Sequence, residues 1–110
     1  MPILLPPPLD AYVKASNNGD SAAAAACFAA DAVVHDEGHA YTGVDAIRAW
    51  RDETLAKYGV VLLDPTALTD SSESPILTAT CSGNFDGSPV PLHFHFTVRQ
   101  GKITALRISA

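Results

Sequence analysis

Residues 33–43, VVHDEGHAYTG, open like a strand with two valines and then gather ionisable groups, His35, Asp36, Glu37 and His39 falling within five residues. A second group, His93 and His95, alternates with Phe94 and Phe96 in PLHFHFTV. Two chemistries suit these residue types. Imidazoles at alternate strand positions share a face and can ligate a metal. A carboxylate at a strand end that faces an apolar cavity has its charged form destabilised, which makes it a better general base. Nothing in the spacing brings His35, His39, His93 and His95 to one point, so structural or surface histidines are expected, with no metal and no other cofactor. For Asp36 a structural reading stands beside the chemical one: a strand-end acid whose side chain caps the Glu37-Gly38 turn. Glu37 and His39 read as a solvated rim.

The elements that must position these groups are legible from periodicity. Pro6-Pro7-Pro8 ends an extended lead-in, and Leu9, Tyr12, Val13 and Ser16 follow one face of a helix. Asn17-Asn18-Gly19 stops it, because Gly and Asn tolerate the left-handed closing position. Asp20 or Ser21 then caps a second helix over SAAAAACFAA, where the alanine run is rich in helix propensity. Strand composition returns from Asp31 to His35, closed by a Tyr-Thr-Gly turn. A third helix starts at Thr42 or Gly43, with Val44, Ile47, Trp50 or Arg51, Thr54, Leu55 and Tyr58 marking a semi-apolar face. After Gly59 the composition changes to VVLLDPTALT, PILTATCSGNF, VPLHFHFTV and KITALRI, divided by DSSES, DGSP and RQG. These read as antiparallel strands and their turns, an α+β plan in one domain spanning residues 1–110.

Composition narrows the function classes. With 47% apolar and 17% charged residues the chain is globular rather than disordered. A net charge of −5 and seven scattered Lys and Arg argue against a nucleic-acid partner. MPILLPPPLD has no basic flank and too short an apolar run for a signal peptide or a membrane span, so a soluble cytoplasmic protein is expected. Cys27 and Cys81 lie far apart without metal-type spacing and read as small buried apolar groups.

The order helix, helix, short strand, helix, long strands resembles the nuclear transport factor 2-like fold, a cone-shaped curved antiparallel sheet wrapped around three N-terminal helices. AYVKASNNGD, CFAADAVVHD and YTGVDAIRAW are similar to the N-terminal half of ketosteroid isomerases and SnoaL-like polyketide cyclases. The resemblance runs from residue 9 to residue 58 with few or no gaps and continues more loosely through HFTVRQGKITALRI. Strands 60 to 85 match in character alone.

The resemblance carries two residues over individually. Tyr12 matches the tyrosine that donates a hydrogen bond to the substrate oxygen in ketosteroid isomerases, and Asp36 matches their catalytic base. Such a pair would abstract a proton beside a carbonyl and hold the resulting enolate, an isomerase or cyclase/lyase reaction by general acid-base catalysis without a cofactor. The family's second oxyanion donor has no counterpart, since its position falls on Leu92 or Phe94, neither of which can donate. The match also implies an apolar cavity lined by Phe28, Trp50, Phe94, Phe96 and Leu106, taking a small apolar molecule. His93 and His95 then lie on the outer face of the sheet, where relatives commonly form homodimers. A register slip of one would turn the histidines inward instead. Structural readings remain for Tyr12, as a core tyrosine, and for Trp50 and Tyr58, as helix-to-sheet packing. Arg48 and Arg51 suggest the Asp-Arg-Asp arrangement of epoxide hydrolases, but no second acid matches and that reading is rejected. The alternative to an enzyme is a non-catalytic module of the same fold that binds a small ligand or dimerises.

Overall fold

The computed structural model describes residues 3–69 and 73–110. Helix α1 (Pro7–Asn17) starts after an extended Pro6, with Pro7 and Pro8 in the turn where N–H groups have no helical acceptor. Leu9, Tyr12, Val13 and Ser16 form its buried face, as the spacing predicts. Gly19 closes it at φ +68°, and the Asp20 side chain caps α2 (Ser21–Ala25) by accepting from the Ala23 N–H at 3.0 Å.

The second helix is shorter than expected. Instead of running to residue 30 it gives way to strand β1 (Phe28–Asp36), which begins before the Asp31 of the sequence reading. Alanine's advantage over other residues in a helix is a few tenths of a kcal/mol each. Against it stand burial of the Phe28 ring, 3% exposed, and a sheet bond from the Ile103 N–H to the Cys27 carbonyl at 3.0 Å. Phe28 also pairs with Ile103 across the sheet. Tertiary pairing therefore overrides local preference.

The expected Tyr-Thr-Gly turn is replaced by a hairpin. Strand β2 (His39–Thr42) pairs antiparallel with β1, Asp36 opposite His39, across the two-residue turn Glu37-Gly38. Both turn residues have positive φ, +52° and +78°, which suits the twist of a tight hairpin. Helix α3 (Val44–Tyr58) follows. Strands β3 (Leu62–Leu68), β4 (Ile76–Ser82), β5 (Val90–Arg99) and β6 (Lys102–Ser109) complete the chain. Of the DSSES turn expected between β3 and β4, residues 70–72 lie outside the described residues.

The sheet order is β2-β1-β6-β5-β4-β3. All neighbours are antiparallel except β1 and β6, so the curved sheet is mixed rather than purely antiparallel. That exception is topological: β1 and β6 are joined through everything between them, not by a hairpin. The three-helix, α+β plan with a curved, unclosed sheet otherwise stands as expected. One sheet face carries Val34, Leu77, Ala79, Phe94, Phe96 and Leu106, all 3% exposed or less, and packs against Leu9, Tyr12, Ile47 and Trp50 of the helices. No helix among the described residues is long and apolar enough to cross a membrane.

Asn17 ties the helical layer to the sheet edge. Its Nδ2 donates to the Leu63 carbonyl at 3.0 Å, and its Oδ1 accepts from the Leu63 N–H at 2.7 Å. Leu63 sits on the edge strand β3, so the amide satisfies two backbone groups that β4 cannot reach. Asn17→Ala should lower stability by about 2 kcal/mol, roughly one per lost bond. Urea denaturation checks this, a midpoint drop at constant slope being the expected outcome and an unchanged midpoint the contrary one.

Candidate functional site

Strand alternation sends Val34 and Asp36 to the inner face and His35 to the other, where His35 lies opposite Arg107. Asp36 is the last residue of β1, beyond the closely packed layer, and is half-buried. Its Oδ2 accepts a hydrogen bond from Trp50 Nε1 at 3.1 Å. Burial raises the Asp36 carboxyl above its ordinary value, the Trp50 bond opposes the shift, the Glu37 charge adds to it and Arg51 opposes it more weakly. The balance leaves the carboxylate harder to form, and so more basic, than on an exposed acid, as expected of a base held in poorly solvating surroundings.

Helix α3 supplies one wall. Trp50 is 3% exposed, with Tyr41 tilted over it at a ring distance of 6.0 Å and the Arg51 guanidinium 5.0 Å from its ring centre. Arg51 itself is 9% exposed. A helical turn further on, Thr54 reaches the same space, its hydroxyl donating to the Trp50 carbonyl at 2.9 Å. Helix α1 supplies Tyr12, 1% exposed, whose ring meets Phe28 and Phe96 edge-on at 5.7 and 5.9 Å. Burial raises the Tyr12 hydroxyl's pKa, so it stays a neutral donor, and the Arg51 charge is the main opposing influence. Ser16, one turn along, pulls the same way as Arg51, although its buried hydroxyl has no partner within hydrogen-bond geometry.

These groups open into one cavity of about 700 Å³. Asp36, Tyr12, Trp50 and Arg51 line it together with apolar Leu92, Phe94 and Ile108 of the sheet. Exposed Lys57, Asn84 and Asp86 stand at its rim, where Phe85 meets Tyr58 edge-on at 6.1 Å. Cys81 also borders it, and burial pushes that thiol up to about 11.

Of the cavity residues expected from sequence, Trp50 and Phe94 line the walls, whereas Phe28, Phe96 and Leu106 do not. The last three lie on the correct face but in the solid part of the core, where Phe28 and Phe96 pack on Tyr12. The correction has a simple geometric cause. On β6 the cavity is bordered by Ile108 rather than Leu106, on β5 by Leu92 and Phe94 rather than Phe96, and on β1 by Asp36 rather than Val34. On β5 and β6 the open space thus reaches two residues past the expected positions, to Leu92 and Ile108, while Phe28 and Phe96 are packed on Tyr12.

Leu92 and Phe94, where a second oxyanion donor would stand, both face the cavity with apolar side chains. His93 and His95 point out of the other sheet face, His93 Nδ1 lying 3.0 Å from Thr78 Oγ1 and His95 Nε2 3.1 Å from Ser109 Oγ. They are separated from the cavity by the sheet itself. No cluster of three or more metal-ligating side chains occurs among the described residues.

Arg51 is the cavity residue that the sequence reading set aside. The available signal was its position: Val44, Ile47, Arg51, Thr54 and Tyr58 follow helical spacing, so the charge falls inside the apolar face.

The profile of the SnoaL-like domain family matches residues 9–106. No curated protein matches the sequence. Among solved structures, a proposed polyketide cyclase from Sinorhizobium meliloti is 35% identical, with a TM-score of 0.89 over 96% of this chain and 95% of that one. A Catenulispora acidiphila protein of ketosteroid isomerase-like fold, in complex with trimethylamine, is 23% identical, with a TM-score of 0.87 over 97% and 87% of the two chains. TerC, co-crystallised with polyporic acid, is 18% identical with a TM-score of 0.77 over 93% and 87%. The last two show likeness of fold alone.

Two titration outcomes follow from the geometry. Removing the indole donor in Trp50→Phe should raise the Asp36 carboxyl further, since the bond favours the charged form; carbon-detected NMR titration reads this, and a downward shift would contradict the assignment. Because the folded-state value lies above the ordinary carboxyl value of 3.8, Asp36 destabilises the fold once pH passes that ordinary value, fully so above the raised folded pKa. Asp36→Asn should therefore stabilise the protein at neutral pH relative to its own difference at pH about 3, where both side chains are neutral. A pH-independent difference in thermal midpoint would refute the raised value.

Proposed function

Because the chain belongs to the SnoaL-like domain family, and Asp36 and Tyr12 open into one cavity, we propose that it is an isomerase or cyclase/lyase that works by general acid-base catalysis on a small hydrophobic carbonyl compound. Asp36 takes a proton from the carbon beside the carbonyl. The C–H electrons form the enolate double bond, and the carbonyl oxygen gains the negative charge. Tyr12 donates its hydroxyl hydrogen bond to that oxygen, and being neutral it does so without losing charge on burial. Asp36 then returns the proton to a different carbon, which is isomerisation, or the enolate carbon bonds to a second carbonyl carbon of the same molecule, whose π electrons move to its oxygen and take the proton back from Asp36, which is cyclisation. Trp50 fixes the carboxylate's orientation through its indole N–H.

The observation that carries this reading is the raised Asp36 carboxyl facing the same cavity as a buried neutral phenol. Likeness to a proposed polyketide cyclase gives it additional support. Asp36→Asn should reduce exchange of the α-hydrogens of a β,γ-unsaturated or 1,3-dicarbonyl compound in deuterated water by roughly 10²–10⁴-fold. Tyr12→Phe should cost roughly 10²–10³-fold. Equal exchange by parent and Asp36→Asn would sink the proposal.

A second reading, a non-catalytic binding module, is favoured by Leu92 and Phe94 in place of a second donor. It predicts ligand binding with no exchange in the parent protein. In either case the outer sheet face, with His93, His95, Thr78 and Ile76 and no helix packed over it, suits a homodimer. Sedimentation equilibrium at micromolar concentration should give twice the chain mass, and a monomer would refute the interface.

A further inference from the structure

Arg51 is the least explained charge in the molecule. It is 9% exposed and borders the cavity, yet among the described residues it makes no hydrogen bond and no carboxylate lies within 4.0 Å of it. Its one close partner is the Trp50 ring, 5.0 Å away. Its unpaired nitrogens keep some accessible surface at the cavity, so the guanidinium is partly withdrawn from water, at a cost below that of full burial. A cation over an aromatic face returns about 0.5–2 kcal/mol. The neighbouring acids of α3, Asp52 and Glu53, are exposed and turned away from the cavity. A buried cation whose donors remain free toward a cavity is what a site for an anion requires.

Its surroundings define that anion further. Of the acids that line the cavity, Asp36 is engaged with the Trp50 indole rather than paired with Arg51, and Glu37 and Asp86 are exposed. Leu92, Phe94 and Ile108 offer no polar group to a ligand, so they suit an apolar frame. Tyr12, Asp36 and Arg51 all line this one cavity, so the three groups converge on one region.

We infer that Arg51 is the receptor for an anionic oxygen group, and that the cavity takes acidic compounds, a carboxylate or an ionised enol carried on an apolar ring system. The inference rests on reading the cavity as the ligand site, and it names the ligand's chemical class. The planar fork of the guanidinium matches two oxygens that share one negative charge. Held there, such an oxygen also lies beside the Tyr12 hydroxyl. Arg51 thereby supplies positive potential at a site whose sheet wall has no second donor.

Calorimetric titration with the naphthoate anion and its methyl ester, and with the hydroxynaphthoquinone anion and its methyl ether, tests the inference on the intact protein. The parent should bind each anion roughly 10- to 100-fold more tightly than its neutral partner, the range for a charge-assisted bond. The preference should collapse to near one in Arg51→Met, with the neutral compounds bound as well as before, and survive in part in Arg51→Lys. No preference in the parent, binding of none of the four compounds, or a preference that persists in Arg51→Met would overturn it. If Arg51→Met does not fold, Arg51→Gln and the parent ratio carry the same comparison. Asp36→Asn should keep the preference for anions. Preserved selectivity without proton exchange in the parent would therefore refute the catalytic reading alone, whereas exchange without selectivity would refute the role of Arg51 alone.

Discussion

The hydrogen bond between the Trp50 indole and the Asp36 carboxylate joins the helical layer to the sheet at the one end where the two separate. A bond to a partly buried carboxylate contributes about 1.5–3 kcal/mol. Its structural consequence is larger than its energy. Trp50 positions α3 against the end of β1, so Arg51 beside it is carried into the cavity and Asp52 and Glu53 are carried out to solvent. Burial at that position raises the carboxyl's pKa, and the same bond opposes the rise by favouring the charged form. Position, burial and titration of the site thus share one contact.

The rest of the interior divides into a filled and an unfilled part. In the filled part Tyr12, Phe28 and Phe96 meet edge to face, an arrangement aromatic rings prefer. Beside them the helices and the sheet leave about 700 Å³. A sealed dry void of that size would cost on the order of 10 kcal/mol or more, comparable to the entire stability of a domain. The cavity is tolerable because it opens through a polar rim that includes Lys57, Asn84 and Asp86. A fold that leaves such a space sacrifices packing and leaves Tyr12, Asp36 and Arg51 facing a cavity rather than a filled core.

Much of this was legible in sequence where a local rule applied. Leu9, Tyr12, Val13 and Ser16 mark a helix face because 3.6-residue periodicity is local, and Val34 with Asp36 mark a strand face because period two is local. The phenylalanine-histidine alternation in PLHFHFTV likewise separates an inner from an outer face, and the inner one is phenylalanine. The alanine run misleads because alanine's preference for helix is small and one buried phenylalanine in a sheet outweighs it. The Glu37-Gly38 turn is legible, but strand β2 beyond it is not, because His39–Thr42 is short and mostly exposed and so carries no apolar alternation.

By itself, then, the sequence determined α1, α3 and the four C-terminal strands, the faces on which their residues alternate, and the inward direction of Tyr12 and Asp36. It did not determine how far along each strand the packed core ends, which is why Phe28, Phe96 and Leu106 were expected in a cavity that Leu92 and Ile108 border instead. Nor did it separate Arg51 from the ordinary charged residues of α3. Both decisions depend on the curvature of a sheet built from strands as distant in the chain as β1 and β6, and on the angle at which α3 crosses it. Periodicity assigns a side chain to a face; only the meeting of two faces decides whether it finds another side chain or open space.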